Sequence, residues 1–278
     1  MKIISLNVRG FGGDVKWKYM KELISKEKPG LVCLQETKLI SVSAFKCFGL
    51  WGSNDVSWIH RGIDNEGGGI LTLWDKKAFN CTKSMDGKGY VLVEGVYNCV
   101  SSGKDVKVVI MNIYAPCPSK EKMLLRREIQ DMLASVNSSI KCVIGDFNSV
   151  RIASERKGIG SGVVNNSDIV RFREFLERCE LKDIPAVGRK YTWYRPNGTA
   201  RSRLDRVLVS DEWMMQWPGV KQYVLSRQVS DHCAIVVKSS IVDWDPKPFR
   251  TFDVWQNSEG FSDVIRNSWE AFTSRGNG

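Results

Sequence analysis

Histidine is scarce: His60 and His232 are the only two in 278 residues. A His-rich metal centre is therefore excluded. The eight cysteines, Cys33, Cys47, Cys81, Cys99, Cys117, Cys142, Cys179 and Cys233, never form a Cys-x-x-Cys pair. Several lie in apolar runs, where a free thiol acts as a small hydrophobe. Reduced thiols are expected, with neither a disulfide framework nor a zinc cluster. No apolar run reaches the ~18 residues of a membrane span. The apolar start turns polar by Asn7, too soon for a secretory signal. The expectation is an intracellular protein with no membrane contact. The triple glycine Gly67–Gly69 is followed by a strand-like run, without a Lys-Ser/Thr pair. That argues against a phosphate loop and for close backbone packing.

Acid is in deficit. Lys and Arg number 41 against 31 Asp and Glu, a net charge of +10. Such a surplus attracts polyanions, and inside a cell nucleic acid is the commonest. A length of 278 residues with 42% apolar content allows one large α/β domain or two small ones.

Along the chain, Lys2–Val8 is strand-prone and Val15–Lys28 has helical spacing, stopped at Pro29-Gly30. Leu31–Leu34 is a second apolar strand, completing a strand-helix-strand unit of the kind that is usually parallel. Residues 38–66 are less regular. Strands are expected at 70–74, 79–84, 89–97 and 106–114, with a turn at Asp86-Gly87. Leu125, Ile129, Met132, Leu133 and Val136 mark one face of a helix over 119–136. A strand at 140–144 follows. Asn165 or Asn166 caps a helix whose inner face is Ile169, Phe172, Leu176 and Cys179. Lys190–Tyr194 and Ser202–Val209 read as a hairpin around Asn197-Gly198. Asp211–Trp217 is a short helix, Val220–Val229 is partly extended and Ala234–Val237 is the last core strand. Two similar halves, about 1–115 and 119–240, suggest two mixed β-sheets packed face to face with helices outside. Residues 241–278 change composition and read as a linker and part of another region.

Polar side chains recur where apolar strands stop. Asn7, Glu36, Tyr114 and Asp146 each end a strand, Asp205 lies in one, and Asp231-His232 precedes one. In Gly145-Asp146-Phe147-Asn148 the carboxylate and the amide share a face while Phe147 points the other way. Strands sharing an edge would gather these groups. Carboxylates that close repel each other, so a cation must hold them ionised. Oxygen donors with one histidine favour Mg²⁺ or Mn²⁺ over Zn²⁺. Such an ion in basic surroundings suits phosphate-ester hydrolysis, and a carboxylate-histidine pair supplies a polarised imidazole.

Six motifs occur in order: Leu6-Asn7, Gln35-Glu36-Thr37-Lys38, Asn112-Ile113-Tyr114, Gly145-Asp146-Phe147-Asn148, Arg203-Leu204-Asp205-Arg206 and Ser230-Asp231-His232. Together they resemble the endonuclease/exonuclease/phosphatase superfamily over about residues 1–240. Tyr191-Thr192-Trp193, the run Asp205–Trp213 and Val229–Cys233 are most similar to the apurinic-type endonuclease domain of plant LINE (non-LTR) retrotransposons. Lys247–Arg250 and Phe252–Trp255 resemble the segment leading to the reverse transcriptase, which implies a polymerase in a longer parent polypeptide. The resemblance implies a four-layer α/β sandwich and a Mg-dependent endonuclease that nicks DNA, leaving a 3′-hydroxyl and a 5′-phosphate, and so acts in the nucleus. Glu36 would ligate the metal with Asn7, and Asp231 would be a second-position ligand. Asp146 would orient or deprotonate the attacking water. Asn148 and Tyr114 would bind the scissile phosphate. His232 would hold a phosphate oxygen or act as base, with Asp205 or Asp231 fixing its ring. Thr192 and Ser230 would be supporting contacts at the substrate. Whether Asp146 or His232 takes the proton stays open at this level.

Arg189, Lys190, Arg195, Arg201 and Arg203 lie on or near the hairpin, a candidate surface for sequence-independent phosphate contact. Arg151, Arg156 and Lys157 are further candidates. Two rivals remain: a superfamily phosphatase or phosphodiesterase acting on another ester, and a nucleic-acid-binding remnant that cuts nothing.

Overall fold

The computed structural model describes residues 1–63, 68–99, 103–158, 166–239 and 260–270. The chain divides into two compact units, Met1–Ser240 and Ile241–Gly278. In the first, apolar runs form strands and amphipathic runs form the helices that cover them. The order is β1 (Lys2–Asn7), α1 (Asp14–Glu27), β2 (Leu31–Gln35), α2 (Ala44–Trp51), β3 (Val56–Arg61), β4 (Ile70–Asp75), β5 (Phe79–Gly87), β6 (Tyr90–Cys99) and β7 (Lys104–Tyr114). Then come α3 (Ser119–Ser135), β8 (Lys141–Asp146), β9 (Arg156–Gly158), α4 (Asn166–Arg178), β10 (Lys182–Asp183), β11 (Ala186–Gly188), β12 (Trp193–Tyr194) and β13 (Ala200–Ser202). The unit closes with β14 (Asp205–Val209), α5 (Asp211–Gln216), β15 (Val220–Val224) and β16 (Ile235–Ser239). The described part of the second unit is one helix, α6 (Phe261–Glu270).

Two mixed sheets result. One has the order β11-β15-β16-β1-β2-β4-β3, the other β10-β14-β8-β7-β6-β5. Alternate residues explain the layering. Ile3, Leu31, Cys33, Ile235 and Val237 of the first sheet meet Val93, Val108, Ile110, Cys142, Ile144 and Val207 of the second in one core cluster. Their neighbours Ile4, Leu6, Val32, Leu34 and Leu71 turn the other way, onto Met20, Leu23 and Ile24 of α1 and Cys47 and Leu50 of α2. Met111, Ile113, Val143 and Leu208 likewise turn onto Leu125, Ile129 and Leu133 of α3 and Phe172, Phe175 and Leu176 of α4. Strands buried on both faces read as continuous apolar runs. Each large aliphatic side chain so buried contributes about 1.5–3 kcal/mol. The arrangement is the four-layer α/β sandwich expected. Each half of the chain gives strands to both sheets: β1–β4 are in the first and β5–β7 in the second, while β16 inserts between β1 and β15.

Register sets the position of the polar strand ends. β1 and β2 run parallel with Asn7 opposite Gln35, and β7 and β8 run parallel with Tyr114 opposite Asp146. Parallel neighbours end at the same rim. β14 runs antiparallel to β8 with Asp205 opposite Asp146, so Asp205 starts its strand at that rim. Beneath it, a buried polar clasp ties the sheets. Gln35 Nε2 donates to Asn112 Oδ1 at 2.7 Å, and Asn112 Nδ2 donates to Thr72 Oγ1 at 3.1 Å. Gly145, at φ +140°, lies so close to β7 that an added Cβ would run into the Ile113 carbonyl.

Several boundaries differ from the sequence expectation. α2 and β3 occupy the stretch expected to be irregular. The turn after β5 is Lys88-Gly89, two residues beyond Asp86-Gly87, because β5 extends to Gly87. The expected strand Ser202–Val209 is split between β13 and β14, which belong to different sheets. β12, β13 and β9 form a separate three-stranded sheet. Gly69 packs on Thr37 as backbone packing requires. Gly67, Asn165, Lys247–Arg250 and Phe252–Trp255 lie outside the described residues. Among the described residues, no helix is long and apolar enough to cross a membrane, and every cysteine whose side chain is described is free.

Candidate active site

At the common rim a cavity of about 490 Å³ is lined by Asn7, Glu36, Tyr114, Asp146, Asn148, Asp231 and His232. Residues from both sheets thus meet, and a bond joins the sheets at the rim itself: Asn7 Nδ2 donates to Asp146 Oδ2 at 2.9 Å. The other Asp146 oxygen accepts the Asn148 backbone N–H at 2.9 Å. This tight turn puts Asn148 at φ +47°, a conformation Asn tolerates better than most residues. The Asn148 amide donates to Ala115 O at 2.6 Å.

His232 lies between two carboxylates. Its Nδ1 is 2.9 Å from Asp205 Oδ2, and its Nε2 is 3.8 Å from Asp146 Oδ2. Thr192 is fully buried and stands behind this pair. Its Oγ1 accepts the backbone N–H groups of Leu204 and Asp205, each at 3.0 Å. It fixes the start of β14 and does not line the cavity. Ser230 Oγ donates to the Asn7 carbonyl at 2.8 Å and accepts the His232 N–H at 3.2 Å, joining the last loop to the end of β1.

Burial opposes a charge on the His232 ring, but the negative charges of Asp205 and Asp146 outweigh it and raise the pKa to about 9. Asp146 rises to about 6. Desolvation comes first and the charge of Asp205 adds to it, against His232, the Asn148 N–H and Asn7. The Tyr114 phenol is pushed well above its ordinary value by burial, then by the charges of Glu36 and Asp146 and a hydrogen bond with Glu36. Glu36 and Asp146 thus place negative charge beside the phenol.

Hard carboxylate and amide oxygens in a negative field fit a divalent cation such as Mg²⁺. Glu36, Asn7 and Asp146 could hold it. Glu36 also pairs with Lys38 at 3.0 Å. Asp146, Asp205 and His232 bring three ligating atoms within 4.8 Å of one another. There, however, the imidazole Nδ1 is engaged by Asp205, so the trio reads as a charge-paired relay.

Four expected residues lie differently from expectation, Ser230 among them because its hydroxyl is committed to Asn7 and His232 and does not line the cavity. Asp231 is engaged by protein donors: it pairs with Arg9 and accepts Trp193 Nε1–H at 3.0 Å. Arg203 turns inward, where its guanidinium meets Asp183 Oδ1 at 2.8 Å and Glu155 Oε1 at 3.4 Å. It leaves the basic surface because two buried carboxylates compete for it. Thr192 is withdrawn behind Asp205, as described. Arg195 is exposed and lines the cavity. Arg201 is exposed and stacks over Tyr191, 5.0 Å from the ring centre. Arg156, a candidate for phosphate contact, lines the cavity, and so do Arg9, Trp193 and Cys117, for which no such role was expected. Arg9 carried one signal, its place two residues after Asn7. Trp193 lies within the run Tyr191-Thr192-Trp193. Glu155 and Asp183, the partners of buried Arg206, carried none.

Residues 4–232 match the family described as Endonuclease/Exonuclease/phosphatase. Over 168 residues the chain is 25% identical to craniofacial development protein 2 of Bos taurus, covering 53% of this chain and 28% of that protein. This chain therefore spans well under half the length of that curated relative. Among solved structures, an AP endonuclease from Leishmania major aligns with a TM-score of 0.66 at 18% identity, over 85% of this chain and 86% of the other. A mannosyl-6-phosphatase from Bacteroides thetaiotaomicron aligns with a TM-score of 0.53 at 13% identity, over 86% and 98%. At such identities these likenesses speak to the fold alone.

Proposed function

The chain belongs to the endonuclease/exonuclease/phosphatase family, whose members hydrolyse phosphate esters, and on that premise we propose that it is a Mg-dependent DNA endonuclease. The observation that carries the reading is His232, held between Asp205 and Asp146 in a cavity that Asn7 and Glu36 also line. Asp146, with a pKa of about 6, is matched to accepting a proton near neutral pH. His232, at about 9, is charged there and suits a phosphate oxygen better than a water proton. On this assignment water attacks phosphorus, its proton passes to Asp146, and the P–O3′ bond breaks while the departing oxygen takes a proton from solvent, leaving a 3′-hydroxyl and a 5′-phosphate. Tyr114 stays neutral and keeps its O–H as a donor, and Asn148 orients the Asp146 carboxylate through its backbone. A bound Mg²⁺ would supply charge stabilisation at the phosphoryl oxygens, held by Glu36 and Asn7.

DNA is favoured over a small ester by the basic side chains at the cavity mouth, Arg9, Arg156 and Arg195, with Arg201 on the adjoining hairpin. We read the chain further as the nicking domain of a LINE-type element. The support is the run of motifs from Tyr191 to Trp213 and at Val229–Cys233. A parent polypeptide carrying reverse transcriptase and acting on nuclear DNA belongs to the same proposal.

The test is nicking of supercoiled plasmid. Mg²⁺ should support it, EDTA should abolish it, and Asp146→Ala or His232→Ala should each lower it at least ~10²-fold. Equal nicking by wild type and both variants would refute the assignment. Phosphate release from a small monoester without nicking would move the chain to the phosphatase reading.

A further inference from the structure

We infer that Arg9 is a built-in cation of the site: its guanidinium neutralises Asp231, so that the cavity takes one divalent ion and not two. The inference rests on the metal-dependent reading above. It follows from what Asp231 touches. Of the carboxylates in the cavity wall, Asp231 is the one that could serve a second ion on the His232 side. Yet its Oδ2 pairs with Arg9 Nη1 and also accepts the Trp193 indole N–H at 3.0 Å. Its Oδ1 is 3.4 Å from Ser230 Oγ. The Asp231 side chain is 7% exposed and that of Arg9 is 50% exposed. A nearly buried carboxylate is thus capped by a guanidinium that still reaches solvent and the cavity.

Arg9 is anchored for this position. Its backbone N–H donates to Asn7 Oδ1 at 3.0 Å, and its carbonyl accepts Lys16 Nζ at 2.9 Å. The backbone is left-handed, at φ +50°, which an unbranched side chain enters only where its surroundings hold it. These contacts aim the side chain across the cavity mouth, between the site and a second, basic cavity lined by Gly10, Lys16 and Lys38. An ion binding at Asp231 would have to evict the guanidinium or lie against it, like charge on like. Glu36 also carries a cation, Lys38 at 3.0 Å, but a lysine ammonium on its flexible stem yields to an entering ion more readily than the planar, anchored guanidinium of Arg9. A planar guanidinium with unused N–H donors can instead grip a non-bridging phosphate oxygen in the place where a second ion would.

The test is Mn²⁺ titration without substrate, followed by calorimetry. Wild type should bind one ion per chain and Arg9→Ala, with Asp231 released, two. Arg9→Lys, keeping the charge, should bind one. Two ions on wild type, or one on Arg9→Ala, would overturn the inference. Should Arg9→Ala fail to fold, Arg9→Gln, which keeps much of the side chain but not its charge, should bind two ions, and one would overturn the inference. A second readout is rescue: nicking by Arg9→Ala should recover at least fivefold with added guanidinium ion and not with added tetramethylammonium. No recovery would count against a cation acting on the phosphate. These outcomes are separate from failure of the nuclease reading, which is absence of Mg-dependent nicking by wild type; binding of no ion at all would overturn both.

Discussion

Replacing Asp205 by Asn should move the alkaline limb of the pH profile of nicking toward acid. Asn retains the shape of the side chain and can still accept a hydrogen bond from His232 Nδ1, so the ring stays oriented. What disappears is the charge. In wild type, burial disfavours the imidazolium and the charges of Asp205 and Asp146 overcome it, holding His232 at about 9. Without the nearer carboxylate the pKa should return to the ordinary 6.5 or lower. A fall of more than two units corresponds to about 3 kcal/mol of lost preference for the charged ring. At pH 7.5 only roughly one ring in ten would then be charged. Asp146 feels two changes at once. Asp205 no longer repels its charge, while a ring charged for less of the time stabilises it less, so the two effects oppose and the acid limb moves little. Wild type should therefore be most active between about pH 6 and 9. Asp205→Asn should lose ~10-fold at pH 7.5 and little at pH 6. Plasmid nicking in Mg²⁺ from pH 5.5 to 9.5 measures both limbs. A loss of the same factor at every pH, with the alkaline limb unmoved, would show that Asp205 does not act through the charge of His232.

Two stability predictions follow from buried groups. Glu155→Gln removes the carboxylate that pairs with fully buried Arg206 and should cost about 3 kcal/mol in urea unfolding at pH 7; a loss under ~1 kcal/mol would mean Asp183 alone satisfies the guanidinium. Burial would raise the pKa of Glu155, but Arg206 and the Arg151 N–H hold it below its ordinary 4.5. Its contribution is therefore present above about pH 4.5 and lost as pH falls through the depressed folded value, and the variant should lack that part of the acid sensitivity. Gly145→Ala forces a side chain into φ +140° and against the Ile113 carbonyl; it should cost ~2 kcal/mol or more and lower nicking by displacing Asp146. A melting temperature equal to wild type would contradict the close approach of β8 to β7.

Much of the site was legible because a polar residue at the end of an apolar run is conspicuous. Asn7, Glu36, Tyr114 and Asp146 each stand out in this way, and parallel register brings them to one rim. Asp231 and Arg203 show the limit. Residue type says that a side chain is charged but not which distant partner competes for it: Arg9 lies 222 residues from Asp231, and Glu155 lies 48 from Arg203. Elements were missed where periodicity had no room to show. β9, β10 and β11 have three residues or fewer. The eight residues of α2 bury only Cys47 and Leu50 fully, so their helical spacing is faint. The sandwich itself was readable because its strands are apolar on both faces. That each half of the chain feeds both sheets was not, since pairing partners leave no mark in local composition.

The place of β16 bears on how the molecule is made. The final strand of the sandwich to leave the ribosome is the one that flanks the first. At ordinary synthesis rates of ~5–20 residues per second, β1 waits on the order of ten seconds or more with one row of peptide groups open. An open row is a template for any other chain nearby. The nascent protein therefore spends most of its synthesis as an aggregation hazard. A message cut short before Ile235 would yield sticky, unfinished chains instead of a smaller working enzyme.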